Sequence, residues 1–196
     1  MKGLELRRLG RRFYQRRVID VARGLLGKLL VRIIDQEVLV GRIVEVEAYG
    51  GVDDPASHAR HGITERNKIM YMDGGLAYIY LAYGIHYLLN VTAEPKGRAG
   101  AVLIRALEPL MGLDAMKKNR GIDDLRLLTS GPGRLTKALR IDGRLNGADL
   151  TSCKELFIAV DEGFRRFRMG SSPRIGVKDE RRWRFYISGN PFVSKP

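Results

Sequence analysis

The stretch LLVRIIDQEVLVGRIVEVEAYG, residues 29 to 50, decides the fold. From Leu29 to Tyr49 apolar residues tend to alternate with polar ones, and many of the apolar residues are β-branched. This period of two is typical of β-strands. Gln36 and Glu37 stand between two such runs, which predicts a pair of strands joined at that point.

A helix is predicted in the segment from Val18 to Leu30, at the start of this pair of strands. Gly27 indicates where this helix ends, since glycine commonly follows the last turn of a helix. The apolar residues that recur at helical spacing are Val18, Val21, Ala22, Leu25 and Leu26.

A second β region follows at residues 76–93 (LAYIYLAYGIHYLLNVTA) and continues at 99–109 (AGAVLIRALEP). Gly84-Ile85 separates two strand-like runs in the first segment, and glycine at the first central position favours a type II′ hairpin turn. Residues 110–119 predict a short helix, and SGPGRLTKALRI (130–141) predicts a glycine-rich turn that opens another. The sequence therefore predicts mixed α and β structure with antiparallel pairing, in one unit of residues 1–196.

Charge narrows the class of partner. The 196 residues carry 35 Lys and Arg against 22 Asp and Glu, a formal charge of +13. Such an excess favours a polyanionic partner, nucleic acid first and an anionic membrane surface second, although a merely basic protein stays an alternative. The one cysteine, Cys153, excludes an internal disulfide framework. Without a long apolar run or a signal-peptide pattern, we expect a soluble protein of the cytoplasm.

Two glutamates on one predicted strand are candidate catalytic residues. Alternation places Glu45, Glu47 and Tyr49 on one face. Residues two apart lie roughly 6.6 Å from each other, about the spacing of the carboxylates in inverting glycoside hydrolysis. The alternative is a strand whose polar face lies in water. His58 and His61 follow in the next turn, but no further ligands accompany this H-x-x-H pattern, so we predict no metal site.

Aromatic residues flank the predicted hairpin turn. Tyr78 and Tyr80 share one strand face, Tyr83 precedes the turn, and His86 and Tyr87 follow it. Strand tyrosines are commonly half-buried packing residues. An exposed ring at the tip of a hairpin on a basic protein is also suited to enter DNA and fill the gap left by an unstacked nucleotide.

Several motifs, in order and spacing, resemble the alkyladenine (3-methyladenine) DNA glycosylase family from about Arg11 to Ser194. The resemblance implies an α+β fold, a single compact domain with a curved antiparallel sheet, a protruding hairpin and surrounding helices. It also implies excision of alkylated or deaminated purines from double-stranded DNA, without cofactor or metal. The motifs are VEVEAYGG, ASHAR, YIYLAYGIHYLLNV, VLIRALEPLMG, LTSGPGRLTKAL, SSPRIGV and RFYISGNPFVS.

The resemblance implies a catalytic group at the first of these motifs. Glu47 matches the general base that activates water for attack on the sugar, so Glu45 is left as scaffold. Arg105 matches an arginine beside that water and the nucleotide's phosphate, and Ile175 matches the residue whose backbone carbonyl holds the water. A monofunctional enzyme is expected, because no lysine occupies the place of a Schiff-base nucleophile.

The resemblance also assigns the base pocket and the DNA contacts. The walls match Tyr49, His58 and Tyr80, whose rings favour a cationic purine over a neutral one. Asn90 matches the residue that sterically excludes guanine, and Tyr83 matches the intercalating residue.

For the DNA backbone we favour the SGPGRLTK turn with Arg134 and Lys137, the alternative being a capped surface helix. The expected form is a monomer, without membrane contact, associated with the nucleoid.

Three hypotheses are therefore distinguished. The favoured one is a DNA glycosylase that depends on Glu47. The second is a basic nucleic-acid-binding module without catalysis, for which Tyr83 matters and Glu47 does not. The third is a carbohydrate glycosidase that uses Glu45 and Glu47 together, which leaves the charge of +13 unexplained. The sequence leaves the preferred lesion open.

Overall fold

The alternating stretch at residues 29–50 forms two antiparallel strands, β1 (Leu29–Ile34) and β2 (Glu37–Tyr49). The computed structural model describes residues 6–164 and 166–195. The turn between the strands consists of Asp35 and Gln36, whose φ angles are 49° and 68°. The connection therefore lies one residue earlier than the predicted Gln36-Glu37 pair, and Glu37 already pairs with Ile34.

The β-strands belong to one antiparallel sheet, as predicted. Its main order is β3-β4-β5-β2-β1-β6, and β8 pairs with β2 while β7 pairs with β8. Because the first half of β2 pairs with β1 and the second half with β8, the sheet curves around this strand. The other strands are β3 (Ala77–Ala82), β4 (His86–Thr92), β5 (Ala101–Met111), β6 (Leu156–Ala159), β7 (Met169–Ser172) and β8 (Arg184–Ile187).

Irregular pairing in the middle of β2 changes the environment of the two glutamates. The register against β5 shifts between Ile43 and Glu45 and again between Glu45 and Val46. Such bulges bend a strand and re-aim its side chains. Glu45 and Glu47 are both 0% exposed, so the alternative of a polar strand face in water is wrong.

Helices surround the sheet and bury its apolar face. The predicted helix at residue 18 is present as α2, but it ends at Leu25, because β1 begins at Leu29. The predicted helix at 110–119 begins later, since β5 extends to Met111. The helices are α1 (Arg11–Tyr14), α2 (Val18–Leu25), α3 (Leu113–Arg120), α4 (Leu125–Leu128) and α5 (Pro132–Ala138), with 3₁₀ turns at Lys68–Tyr71 and Gly143–Leu145. Within the described ranges, no helix combines the length and apolarity that crossing a bilayer requires.

The β3–β4 hairpin protrudes from the sheet as predicted, but its turn differs. Tyr83 and Gly84 have φ angles of 52° and 71°, and the Ile85 N–H donates to the Ala82 carbonyl at 3.1 Å. Two positive φ angles define a type I′ turn centred on Tyr83-Gly84, so the predicted type II′ turn at Gly84-Ile85 is wrong. The left-handed backbone costs Tyr83 about 1–2 kcal/mol, and its side chain is 94% exposed at the tip.

Candidate active site

A cleft of about 900 Å³ lies between the β3–β4 hairpin, the loop after β2, and α5. It brings together nearly all the residues that the sequence singled out. Glu47 is wholly buried beside it, hydrogen-bonded to three of the residues that line it. The predicted residues that line the cleft are Tyr49, His58, Tyr80, Tyr83, Asn90, Arg105, Arg134, Lys137 and Ile175.

The Glu47 carboxylate is held by three donors. The Ile175 backbone N–H donates to Oε1 at 2.6 Å, while the Tyr49 hydroxyl and the Arg105 guanidinium donate to Oε2 at 2.9 and 3.2 Å. A carboxylate offers about four lone-pair positions. Oε1, which has one donor, therefore keeps a free acceptor position. The contact from Ile175 is made by its N–H, and the predicted role of its carbonyl stays a prediction.

Glu45 has a different environment although it is only two residues away. Its Oε1 accepts from Arg105 Nε at 3.1 Å, from Arg184 Nε at 2.7 Å and from the Ser194 hydroxyl at 2.9 Å. Its Oε2 accepts from the Ser194 N–H at 2.6 Å. Four hydrogen bonds, three of them from β8 and the carboxyl-terminal segment, suit a structural group that ties this segment and Arg105 to β2.

Arg105 joins the two glutamates. It lies on β5, where the shifted register against β2 brings its guanidinium between Glu45 and Glu47. Only 8% of the residue is exposed, and that part faces the cleft. A guanidinium fixed by two carboxylates is oriented before any ligand arrives.

Tyr49 forms the wall of the cleft next to Glu47. Burial first, and then the neighbouring Glu47 charge, raise the pKa of Tyr49 far above its usual range. The hydroxyl therefore stays protonated and donates to Glu47 at neutral pH. The Arg174 guanidinium lies over the ring, 4.7 Å from its centroid.

An aromatic cluster forms the facing wall. The His58 and Tyr80 rings meet edge to face at 4.8 Å, and Tyr78 lies 5.3 Å from Tyr80. His58 Nδ1 lies 2.8 Å from the Tyr78 hydroxyl. Partial burial, then the Arg66 charge, lower the pKa of His58, while burial raises the pKa of Tyr78 to about 12. At neutral pH the rings of this wall are therefore uncharged.

Asn90 lies on the cleft side of β4 and is 3% exposed. Its amide donates to the Tyr78 carbonyl at 3.1 Å. Opposite residues in antiparallel strands share a face, and Asn90 pairs with Tyr78 on one side and Leu103 on the other. Since Leu103 pairs in turn with Glu47, the strand register alone places Asn90 and Glu47 on one face of the sheet.

Cations line the opposite rim of the cleft. Arg134 and Lys137 project from α5, and Arg120 lies at the end of α3. Burial, then the charge of Arg134, lower the pKa of Arg120. Close approach of α5 to the hairpin requires Gly133, since a Cβ there would lie 2.9 Å from the His86 ring. The glycine-rich turn thus sets the position of these cations.

Comparison with known proteins decides the family. The family model described as Methylpurine-DNA glycosylase (MPG) matches residues 12–191. The chain belongs to this family. It is therefore a DNA glycosylase, an enzyme that hydrolyses N-glycosyl bonds.

Among its relatives, proteins of Chlorobium phaeobacteroides, Carboxydothermus hydrogenoformans and Legionella pneumophila (strain Lens) are named as candidate 3-methyladenine DNA glycosylases. They are 48%, 47% and 46% identical to the chain. The alignments cover 93%, 95% and 97% of this chain and 94%, 98% and 100% of the three relatives.

Four site residues of the glycosylase were not assigned from sequence. Tyr78 bonds His58, and its position on the same strand face as Tyr80 was the available signal. Arg66 lies 4.9 Å from the centre of the Tyr80 ring and belongs to no quoted motif. Arg120 and Arg174 were also missed, although Arg174 stands in the SSPRIGV motif next to Ile175.

His61 has no part in the glycosylase site. Its Nε2 accepts from the side chain of its exposed neighbour Arg60 at 2.6 Å. Across the described part of the chain, no group of three or more His, Cys, Asp or Glu side chains is placed to hold a metal ion.

Proposed function

We propose that this glycosylase excises alkylated and deaminated purines, including 3-methyladenine, 7-methylguanine and hypoxanthine, from double-stranded DNA. The base is flipped into the cleft, and hydrolysis of its N-glycosidic bond releases the free base and leaves an abasic site. The observation that carries the proposal is the buried Glu47 carboxylate, held by three donors beside an aromatic cleft. The names of the relatives support one of these lesions, 3-methyladenine.

In the proposed reaction Glu47 binds and deprotonates the attacking water. The free acceptor position on Oε1 lies next to Ile175, so a water there would contact both residues, and the Ile175 carbonyl is the second acceptor that the sequence predicts. General-base assistance of this kind contributes about 10²- to 10⁴-fold. As the glycosidic bond breaks, the negative charge of Glu47 stabilises the developing oxocarbenium ion.

The cleft walls support selection of damaged purines. A cationic purine between Tyr49 and Tyr80 gains about 0.5–2 kcal/mol per contact from the ring quadrupoles, which a neutral base lacks. Because His58 is neutral, it adds no repelling charge. Asn90 is rigidly held by the Tyr78 carbonyl, and in this position it would collide with the 2-amino group of guanine.

Base flipping is assigned to the hairpin, and DNA binding to the cationic rim. Unstacking a base costs a few kcal/mol, and insertion of the Tyr83 ring would offset part of that. Arg134 and Lys137 are exposed on the cleft rim and carry their charge toward the path of the backbone. The formal charge of +13 supports electrostatic binding over a wider surface.

The proposed enzyme acts as a monomer, since one chain supplies base, pocket and wedge. It is monofunctional, because water rather than a lysine amine is the nucleophile, so the sugar is not cleaved. Action on the chromosome would place it in the cytoplasm, at the nucleoid.

The test uses a labelled duplex that contains one hypoxanthine, with an undamaged duplex as control. Abasic sites are converted to strand breaks by alkali and counted. We expect strand breaks only after alkali treatment and only in the duplex that contains hypoxanthine. A protein that binds both duplexes and releases no base would instead be the non-catalytic binding module. Breaks without alkali would contradict the monofunctional assignment.

A further inference from the structure

Arg174 is a wholly buried charge outside the set that binds water or base. Its side chain is 0% exposed. It donates to both oxygens of Asp54 at 2.7 Å each, donates to the Ala48 carbonyl at 2.8 Å, and ion-pairs with Asp179. A buried charge destabilises the fold unless it is paired, and here two carboxylates and a backbone carbonyl pair it.

The same guanidinium packs between two rings. It lies 4.7 Å from the centre of Tyr49 and 5.3 Å from that of Trp183. Its partner Asp54 accepts from the Gly50 N–H at 2.8 Å. Burial alone would raise the pKa of Asp54, but the hydrogen bonds from Arg174 and Gly50 hold that pKa below its usual range. The pair is therefore fully ionised at neutral pH.

We propose that Arg174 is a positioning residue that sets the orientation of the Glu47 carboxylate. Two of the three donors to Glu47 depend on it. Ile175, the next residue, donates its N–H to Oε1 at 2.6 Å. Tyr49, whose ring rests on the guanidinium, donates to Oε2 at 2.9 Å. This inference rests on the proposed function, in which the remaining position on Oε1 receives the water.

Arg174 also fixes both walls of the base pocket. It bonds the end of β2 through Ala48 and, through Asp54, the turn that leads to His58. Ser57 closes that turn by donating to the Gly50 carbonyl at 2.6 Å. One side chain thus links the general base to the wall it must face, and misplacement by about 1 Å can cost 10²-fold in rate.

Kinetics distinguish positioning from mere stabilisation. A misplaced general base slows the chemical step and leaves half-saturation nearly unchanged, because other residues contact the DNA. A change that only lowers the folded fraction reduces the amount of active enzyme and leaves the rate per active site in place.

The experiment measures single-turnover release of hypoxanthine by the full chain, normalised to the folded fraction, with enzyme concentration varied to separate maximal rate from half-saturation. The variants are Arg174→Lys and Asp54→Asn, the second being usable if the first does not fold. Arg42→Lys is the matched control. Arg42 also joins two carboxylates, Glu108 at 2.7 Å and Asp161 at 3.0 Å, and lies outside the cleft.

We expect the two variants to lose about 10- to 100-fold in maximal rate per active site, with little change in half-saturation, while Arg42→Lys behaves as wild type. An unchanged maximal rate per active site in Arg174→Lys and Asp54→Asn would overturn the inference and leave the proposed function standing. Absence of base release by the wild type would instead overturn the proposed function.

Discussion

Replacing Tyr83 by alanine removes a side chain that is 94% exposed and therefore contributes little to folding. The exposed ring is instead free to stack on a DNA base. Stacking of an aromatic side chain against a base is worth about 1–3 kcal/mol by alanine substitution. Tyr83→Ala should consequently reduce the equilibrium of base extrusion about 5- to 150-fold, and the rate of excision in proportion when chemistry follows extrusion.

The backbone conformation of the turn does not affect the comparison of Tyr83→Ala with the wild type. Tyr83 has φ 52°, and alanine bears the same left-handed penalty as tyrosine. Tyr83→Phe keeps the ring and is the matched control, expected to extrude as the wild type does. Tyr83→Gly would relieve the penalty as well, so it is the less informative change.

The assay places 2-aminopurine beside a hypoxanthine and follows its fluorescence by stopped flow, while binding to an undamaged duplex is measured over a range of salt. We expect Tyr83→Ala to show reduced extrusion amplitude, with nonspecific affinity nearly unchanged. Extrusion equal to that of the wild type would refute the wedge, and so would a loss of nonspecific affinity as large as the loss of extrusion.

Three further predictions concern the pocket and the rim. Asn90→Ser should allow release of normal guanine, about tenfold or more above the wild type, as measured by alkali-labile sites in undamaged DNA; continued exclusion of guanine would contradict the steric role. The slope of log affinity against log salt is negative, and Arg134→Ala and Lys137→Ala should each reduce its magnitude by about 0.9; an unchanged slope would mean that neither contacts a phosphate. His58 has a lowered pKa in the folded protein because of partial burial and Arg66, so the unfolded chain binds more protons near pH 6.5. Its contribution to stability is present above pH 6.5 and is lost as pH falls through the lowered folded value. His58→Gln should therefore flatten the rise of unfolding free energy between pH 5 and 7 in urea titrations; an equally steep rise would contradict this.

The strands and α2 could be predicted because their periodicity reflects a local property, the face that each side chain turns to the core. The burial of Glu45 and Glu47 could not, since the groups that cover them come from distant segments. Arg105 and Arg184, which contact Glu45, lie 60 and 139 residues away in sequence. The hairpin turn was misassigned for a related reason. Tyr83 adopts a left-handed conformation that local preference disfavours and that the strand register imposes.

The candidate site shows the same division. Resemblance located the residues that we propose to contact base and water, because each stands in a contiguous motif. It did not reveal that Arg174 supports Glu47 through its neighbour Ile175 and through Tyr49, since that link passes through a buried ion pair with Asp54. Long-range charge pairing leaves no periodic trace in a sequence.

The central claim is that two glutamates two residues apart have unequal roles, and one measurement tests it directly. Glu47→Gln and Glu45→Gln are compared for single-turnover release of hypoxanthine, each normalised to its folded, DNA-binding fraction. We predict that Glu47→Gln loses about 10²- to 10⁴-fold. Glu45→Gln should retain the larger part of the rate but lose about 3–5 kcal/mol of stability, because Arg105 and Arg184 lose a buried partner. Base release by Glu47→Gln at the wild-type rate would contradict the account.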